Sequence, residues 1–145
     1  MKVRDLMTSS VSCVKTSDTL QHAAQQMASI NVGSVPVCEQ KRLVGILTDR
    51  DITLKAVAKG QSEQMRVQDC MTRQVVTCTP DTDAHEAADL MANHQVRRLP
   101  VTDSRGDLVG MLAIADLATE NIHVNEAGDA LSRISKPTEA QNAFQ

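Results

Sequence analysis

Apolar residues recur three or four positions apart in two stretches of the chain, and this spacing predicts two amphipathic helices. The stripes that they form are Leu20, Ala23, Ala24 and Met27 in the first helix and Ala84, Ala87, Ala88 and Met91 in the second. A further helix is expected from about Asp49, with Gly60 as its stop, and its counterpart from near Ile114. The residues of the Asp49 helix that we expect to face inward are Ile52, Ala56 and Val57.

Short runs rich in β-branched residues lie between the helices and predict strands. They are residues 11–14, 35–38 and 43–47 in the first half of the chain and 75–78, 99–102 and 108–112 in the second. The last two strands of each half flank a short polar turn and should form an antiparallel hairpin. Pro36 implies an edge or first-residue position for its strand. Each half therefore follows the order β-α-β-β-α, and its first two strands should be parallel because a helix connects them.

The two halves repeat each other in sequence. Residues 3–8 return as 67–72, residues 35–37 as 99–101, and residues 43–47 as 108–112. The offset is 64 residues (Val3 to Val67) and widens to 65 (Leu43 to Leu108) after an insertion near Gly106. We expect an α/β (α+β) fold of two repeats packed with pseudo-twofold symmetry, and a ligand in a cleft between them. The expected divisions are repeat 1 over 1–60, a linker over 61–66, repeat 2 over 67–122 and a C-terminal tail over 123–145.

The tail lies outside the repeat. Leu131 and Ile134 are expected to form one turn that docks on the rest of the chain, and residues 136–145 are expected to be disordered. The tail contains Phe144, the chain's single aromatic residue. With 41% apolar residues the chain can bury a core, and that core must be aliphatic.

Composition also excludes several classes of partner. The scarcity of aromatic side chains weighs against stacking on nucleic-acid bases, and a net charge of −3 offers no basic field to a polyanion. No apolar run approaches the roughly 18 residues that a membrane helix requires. Residues 1–5 show no apolar secretion segment, so we expect a cytoplasmic protein without membrane or nucleic-acid partners.

Four cysteines in a chain of this size do not indicate a disulfide scaffold. Cys13 and Cys38 fall on strands that we expect to be parallel neighbours, so they form either a redox-sensitive disulfide or two small buried apolar residues. No metal site is expected, because no pair of candidate ligands has the spacing of a zinc site. The candidates considered are Cys70, Cys78, His85 and His94.

Polar residues with a possible binding role follow the last strand of each repeat. Near Thr48 a strand ends and a helix begins, and the free N–H groups and positive dipole end of a helix N-terminus favour a phosphate. The Thr48 hydroxyl adds a donor, and the carboxylate of Asp51 can accept from both hydroxyls of a ribose. Asp116 follows the corresponding strand of repeat 2. Alternatively, Thr48 is an N-cap and the two carboxylates only stabilise helix N-termini.

Taken together, these segments resemble a tandem pair of CBS domains (cystathionine-β-synthase domains), known as a Bateman module. The resemblance rests on the Asp-Leu-Met-Thr and Asp-Cys-Met-Thr lead-ins, the two helix stripes, the two strands containing Pro-Val, and the two strand ends that reach Asp51 and Asp116. It covers about residues 3–120. No nucleophile with a neighbouring base and no glycine-rich phosphate loop is visible, so we expect no enzyme.

The resemblance implies a regulatory or sensory module that binds AMP, ADP, ATP or S-adenosylmethionine between the repeats and requires no cofactor. It also implies a flat homodimer and a protein partner that the sequence does not name. By position it assigns ribose hydroxyls to Asp51 and Asp116, ribose or phosphate to Thr48, phosphate to Arg98 with help from Arg97, and the adenine edge to the backbone of Val14, Lys15, Thr16, Cys78, Thr79 and Pro80.

Two departures from the family pattern keep other functions open. Ala113 stands where a hydroxyl residue is usual, and Gly33 and Ser34 stand where repeat 2 has Arg97 and Arg98. Both departures are compatible with a structural interaction module that binds no ligand, in which the arginines form a solvated turn or dimer salt bridges. A thiol redox sensor that uses Cys13 and Cys38 is the other alternative.

Overall fold

The chain contains both helices and strands, as the sequence predicts for the mixed α/β class. The computed structural model describes residues 1–118 and 124–137. Its elements are α1 (Leu20–Ile30), β1 (Ser34–Glu39), β2 (Arg42–Thr48), α2 (Asp49–Ile52), α3 (Val67–Cys70), α4 (Ala84–His94), β3 (Arg98–Thr102), β4 (Leu108–Ala113), α5 (Ile114–Ala118) and α6 (Val124–Ile134). A short 3-10 turn, Val3–Asp5, precedes them, and a π-helical turn, Thr53–Val57, continues α2.

The chain forms two compact units that do not coincide with the sequence repeats. The first unit contains Met1–Ser9, Val76–Val101 and the described residues of Val109–Gln145, and the second contains Ser10–Val75 and Thr102–Leu108. The lead-in of each repeat therefore lies in the unit that the other repeat builds. This exchange of lead-ins between the repeats brings together residues that are far apart in sequence, so no local sequence pattern predicts it.

The sheet of the second unit is built on the β1–β2 hairpin. The two strands are antiparallel, with Val35 opposite Leu47 and Val37 opposite Gly45. Val14 forms a parallel bridge with Val37, as predicted. Val14 donates its N–H to the Pro36 carbonyl at 3.0 Å and accepts the N–H of Cys38 at 2.9 Å. Because Pro36 turns its backbone towards Val14 and not towards β2, the proline removes no hydrogen bond from the hairpin.

The predicted first strand of each repeat is wrong in its extent. Within residues 11–14 only Val14 pairs, and within residues 75–78 only Cys78 pairs, in a parallel bridge with Val101. The β-branched residues before Val14 and Cys78 do not form a ladder. Strand propensity reflects packing against neighbours, and these residues lack a partner strand of their own.

The lead-ins complete the opposite edge of each hairpin. Thr72 pairs with Ile46 of β2 through hydrogen bonds of 2.8 and 2.9 Å, and Thr8 pairs with Met111 of β4 through bonds of 2.9 and 3.0 Å. Val3 and Val67 are fully buried, one in the core of each unit. Each core therefore depends on a segment from the other repeat.

Val57 faces solvent although we predicted that it faces inward. A π-helical turn continues α2, and in it the N–H of Ala58 reaches the carbonyl of Thr53, five residues back, at 2.9 Å. Val57 follows Ala56 about a quarter of a turn further around the helix and so leaves the buried face. Ala56 remains fully buried, whereas Val57 is 57% exposed. Gly60 has a φ of +68° and ends the element, as expected.

Helix α6 packs against α4 and α5 in the first unit. Ala127 and Ala130 are buried and Ile134 packs against the core, whereas Leu131 is 44% exposed. His85 Nδ1 of α4 lies 2.9 Å from Glu126 Oε1 of α6. The tail thus contains an 11-residue helix where we expected one turn, and of the two residues expected to dock only Ile134 does. The disorder expected for residues 136–145 lies, apart from 136 and 137, outside the described residues.

Helix α6 covers part of α4, so residues at equivalent positions of α1 and α4 differ in their exposure to solvent. Ala88 and Ala92 of α4 are buried, but their counterparts in α1, Ala24 and Ala28, are exposed. Ala24 therefore belongs to the predicted apolar stripe but faces solvent. Within the described part of the second unit, no helix takes the place that α6 has beside α4.

The close packing of the first lead-in against β4 can be tested by substitution of Gly110. A Cβ atom at Gly110 would lie 2.9 Å from the Thr8 carbonyl oxygen and 2.6 Å from Met7 Sδ. We expect Gly110→Ala to lower the free energy of unfolding by about 1–3 kcal/mol, because backbone atoms must shift. Gly128→Ala in α6 is the matched control. No atom lies within 4 Å of its Cβ position, so this change should stabilise the helix by about 0.5–1 kcal/mol. Urea denaturation of both variants measures the difference, and equal stabilities would contradict the packing described.

Candidate functional site

The junction between β2 and α2 holds Thr48 and Asp51 in a reciprocal cap. Thr48 Oγ1 accepts the N–H of Asp51 at 2.9 Å, and Asp51 Oδ2 accepts the N–H of Thr48 at 3.1 Å. This arrangement satisfies two donors that a helix N-terminus otherwise leaves free. The N-cap role that the sequence left open is thus shown. The side chain of Asp51 is only 13% exposed, so its carboxylate is held in one place.

Lys55 is a residue of this junction that the sequence analysis missed. Its Nζ lies 3.1 Å from Asp51 Oδ1 and also donates to the Cys70 carbonyl at 3.1 Å. The signal available in the sequence was the i,i+4 spacing of an acid and a base on one helix. The ammonium group balances the charge of the carboxylate in a partly buried position.

Gly33 lies at the same junction and contacts Asp49. Its carbonyl accepts the N–H of Asp49 at 2.9 Å, which fixes the start of α2 against the start of β1. A Cβ atom at Gly33 would lie 3.1 Å from Asp49 Oδ2. The Asp49 carboxylate therefore fills the space beside Gly33, and a second acidic group lies near Asp51.

The first unit repeats this junction with different side chains. Asp116 Oδ2 accepts the N–H of Ala113 at 2.8 Å, but Ala113 has no hydroxyl to return the bond. The carbonyl of Arg97 accepts the N–H of Ile114 at 2.8 Å, as that of Gly33 does in the second unit. Arg97 and Arg98 are both exposed at the start of β3. This junction therefore combines the Asp116 carboxylate with the backbone of Arg97, which precedes Arg98.

The backbone that the resemblance assigns to an adenine edge is already hydrogen-bonded in the second unit. Beyond the bridge of Val14, the N–H of Lys15 reaches Asp18 Oδ2 at 2.8 Å and that of Thr16 reaches Glu39 Oε1 at 3.2 Å. The Thr16 hydroxyl also bonds Glu39, and these two bonds lower the pKa of that carboxyl group. The three carbonyls also accept backbone N–H groups, from Cys38, Asp18 and Gln68, so each has one lone pair left for a ligand.

The equivalent backbone of the first unit is also engaged. The N–H of Cys78 donates to the Pro100 carbonyl at 3.1 Å, and that of Thr79 donates to Thr82 Oγ1 at 3.0 Å. Pro80 has no N–H, and its carbonyl accepts the N–H of Arg4 at 3.0 Å. The ligand roles of these residues and of their counterparts remain predictions.

Cys13 and Cys38 lie together in the second unit, and both are free thiols. The remaining cysteines, Cys70 and Cys78, are buried. Burial raises the pKa of Cys78 to about 11.

Among residues 1–118 and 124–137, no group of three or more His, Cys, Asp or Glu side chains is arranged to hold a metal ion. Within the same residues, every helix is too short or too polar to cross a membrane.

Two open grooves flank α1 and α2 in the second unit. One has a volume of about 510 Å³ and includes Leu20, Ile52 and Met65. The other, of about 310 Å³, includes Met27 and Thr53. Neither groove includes Thr48 or Asp51. The candidate site therefore rests on the repeated junction and not on these grooves.

Comparison with known proteins identifies the family. The model of the CBS domain matches residues 3–57 and 67–123. The chain belongs to the CBS-domain family. Each matched stretch of this CBS-domain protein includes one of the two junctions. The CBS domain-containing protein YhcV of Bacillus subtilis is 44% identical over 133 residues, which cover 92% of this chain and 94% of YhcV. Hypoxic response protein 1 of Mycobacterium tuberculosis is 38% identical over 117 residues, which cover 79% and 81% of the two chains.

Solved structures of CBS proteins have the same fold. Hypoxic Response Protein I, crystallised with two coordinated zinc ions, matches with a TM-score of 0.74 and 35% identity over 81% of this chain and 97% of its own. PAE2072 from Pyrobaculum aerophilum, complexed with AMP, matches with a TM-score of 0.77 and 26% identity over 88% and 98%. The CBS domain pair of protein MJ0100, in complex with 5′-methylthioadenosine and S-adenosyl-L-methionine, matches with a TM-score of 0.73 and 25% identity over 81% and 93%.

The reciprocal cap predicts a specific effect on stability. Thr48→Ala removes the hydroxyl that accepts the N–H of Asp51, and we expect a loss of about 0.5–2 kcal/mol in the free energy of unfolding. Ala113→Thr is the complementary change, because a hydroxyl there completes the cap with Asp116 and should stabilise the protein. Thermal and urea denaturation measure both effects. A Thr48→Ala variant as stable as the wild type would show that the cap contributes little.

Proposed function

We propose that this CBS-domain protein is a regulatory module that binds an adenosine-containing ligand, such as AMP, ADP, ATP or S-adenosylmethionine, without catalysing a reaction. The observation that carries this proposal is the carboxylate held at the strand-to-helix junction in both units, Asp51 and Asp116. Two structurally similar CBS proteins are complexes with AMP or with S-adenosylmethionine and 5′-methylthioadenosine, which supports the class of ligand.

The Asp51 carboxylate retains hydrogen-bonding capacity for a ribose. A carboxylate offers about four lone-pair positions, and Asp51 uses one for Thr48 and one for Lys55. The two remaining lone-pair positions can accept hydrogen bonds from the neighbouring 2′ and 3′ hydroxyls of a ribose. Because the cap already holds the carboxylate in place, the ligand does not have to order this side chain when it binds.

We infer that the two units differ in their preference for charge. Arg97 and Arg98 are exposed in the first unit, and guanidinium groups bind phosphate through paired hydrogen bonds. In the second unit Asp49 lies beside Gly33 and repels a phosphate there. A nucleotide phosphate thus suits the junction of Asp116, whereas an adenosyl group without phosphate suits the junction of Asp51.

The regulatory output acts in trans. A ligand that binds one conformation of the protein more tightly than another shifts the population towards the first, and this shift changes contacts with a partner. We propose that the partner surface belongs to a second copy of the chain or to another protein. Light scattering with and without ligand measures the association of copies.

Isothermal titration calorimetry tests the site in the second unit. We expect Asp51→Asn to weaken binding of S-adenosylmethionine by about 10- to 100-fold, because a charged hydrogen-bond acceptor contributes more than a neutral one. Asp83→Asn is the matched control, because Asp83 caps α4 in the first unit and Asn also caps helices well. Equal affinities for wild type and Asp51→Asn would contradict the assignment of Asp51.

The same titration with AMP tests the first unit. We expect Arg98→Ala to weaken AMP binding by about 10-fold or more and to leave adenosine binding unchanged, because adenosine lacks the phosphate. Thermal shift measurements check for binding at all, since ligand at 100 times its Kd adds about 2.7 kcal/mol of stability. The absence of a shift with each ligand at millimolar concentration would favour a structural module that binds no ligand.

A further inference from the structure

The parallel bridge of the second unit brings two thiols together. Val14 and Val37 are paired, and the residues next to them include Cys13 on one chain segment and Cys38 on the other. The Cys13 thiol lies close enough to Cys38 to influence its pKa. Both are free in this structure. The backbone hydrogen bonds on both sides of Val14 hold the two segments in this register.

The environments of the two thiols differ. Cys13 is exposed, whereas Cys38 is only 2% exposed. Burial, and then the neighbouring Cys13 thiol, raises the pKa of Cys38 to about 12, and the nearby carboxylates of Asp107 and Glu39 act in the same direction. Cys38 is therefore a protonated thiol at neutral pH, and an oxidant in solution reaches Cys13 first.

The fold does not require sulfur at these positions. In repeat 2 the counterparts of Cys13 and Cys38 are Thr77 and Thr102. The same parallel bridge nevertheless forms there, between Cys78 and Val101. The pair of adjacent thiols is thus a feature of one repeat that the bridge alone does not explain.

We propose that Cys13 and Cys38 are a site of reversible oxidation that forms an intramolecular disulfide, with a hydroperoxide as the oxidant. This inference does not depend on the proposed ligand. The thiolate of Cys13 attacks one oxygen of hydrogen peroxide, the O–O bond breaks, and the departing hydroxide takes up a proton as water. The sulfur of Cys38 then displaces the hydroxyl group from Cys13, and the thiol proton leaves with it as a second water. Two thiols and one peroxide thus become one disulfide and two waters.

The disulfide would close a loop from residue 13 to residue 38 that contains α1. A closed loop restricts the unfolded chain, so the oxidised protein should melt at a higher temperature, by roughly 5 °C or more. Reduction by a dithiol reverses both the bond and the shift.

Treatment of the full chain with hydrogen peroxide, followed by alkylation of the unfolded protein, tests the proposal. The reduced protein should take up alkyl groups on four cysteines, and the oxidised protein on two. Peptide mapping without reductant should then show a peptide that joins Cys13 to Cys38. Persistence of four reactive thiols would overturn the proposal, as would a bond to Cys70 or Cys78, or a covalent dimer through the exposed Cys13.

Matched variants separate the disulfide from general oxidation. Cys38→Thr places in β1 the residue that repeat 2 carries at Thr102, so the fold should accept it. In this variant we expect Cys13 to stop at the sulfenic acid, which a dimedone probe labels, without the increase in melting temperature. Cys13→Thr should show neither the label nor the shift. Loss of two thiols on oxidation of either variant would contradict the pairing.

Discussion

The backbone pairing of each lead-in with the hairpin of the other repeat is the constraint on which the rest of the fold depends. Thr8 pairs with Met111 and Thr72 with Ile46, and these bonds place Val3 and Val67 in the two cores. Both valines are fully buried, so removing either lead-in would expose apolar surface and leave an unpaired strand edge. Neither repeat therefore has a complete core from its own sequence. The stability of each unit therefore depends on the lead-in of the other repeat.

The candidate site uses groups that already have a structural role. The carboxylates of Asp51 and Asp116 cap their helices, and the same oxygens are proposed to hold a ribose. A ligand bound at either carboxylate would share a side chain with the cap, so its binding would be coupled to the stability of the helix N-terminus. The repeats have diverged around this shared feature. A threonine and a second carboxylate surround Asp51, whereas an alanine and two arginines accompany Asp116.

Local features of the sequence predicted much of this structure. The spacing of apolar residues located α1 and α4, the polar turns located both hairpins, and the threonine three residues before Asp51 indicated the cap. The prediction for Val57 was wrong because this residue follows the buried Ala56 about a quarter of a turn further around the helix and so leaves the buried face. Ala24 is exposed, unlike its counterpart Ala88, because α6 covers only the equivalent part of α4. The exchange of lead-ins and the contact of Lys55 with Asp51 depend on the path of the folded chain, which periodicity does not encode.

Helix α6 has a consequence for how copies of this chain can associate. It occupies the apolar side of α4, where Ala88 and Ala92 are buried, while the matching side of α1 faces solvent at Ala24 and Ala28. Among the described residues, this apolar helix face is thus open only in the second unit. If copies of the chain were to associate through it, the same surface would be used on both copies and the contact would close after two subunits. The C-terminal helix would then restrict such an association to one of the two repeats.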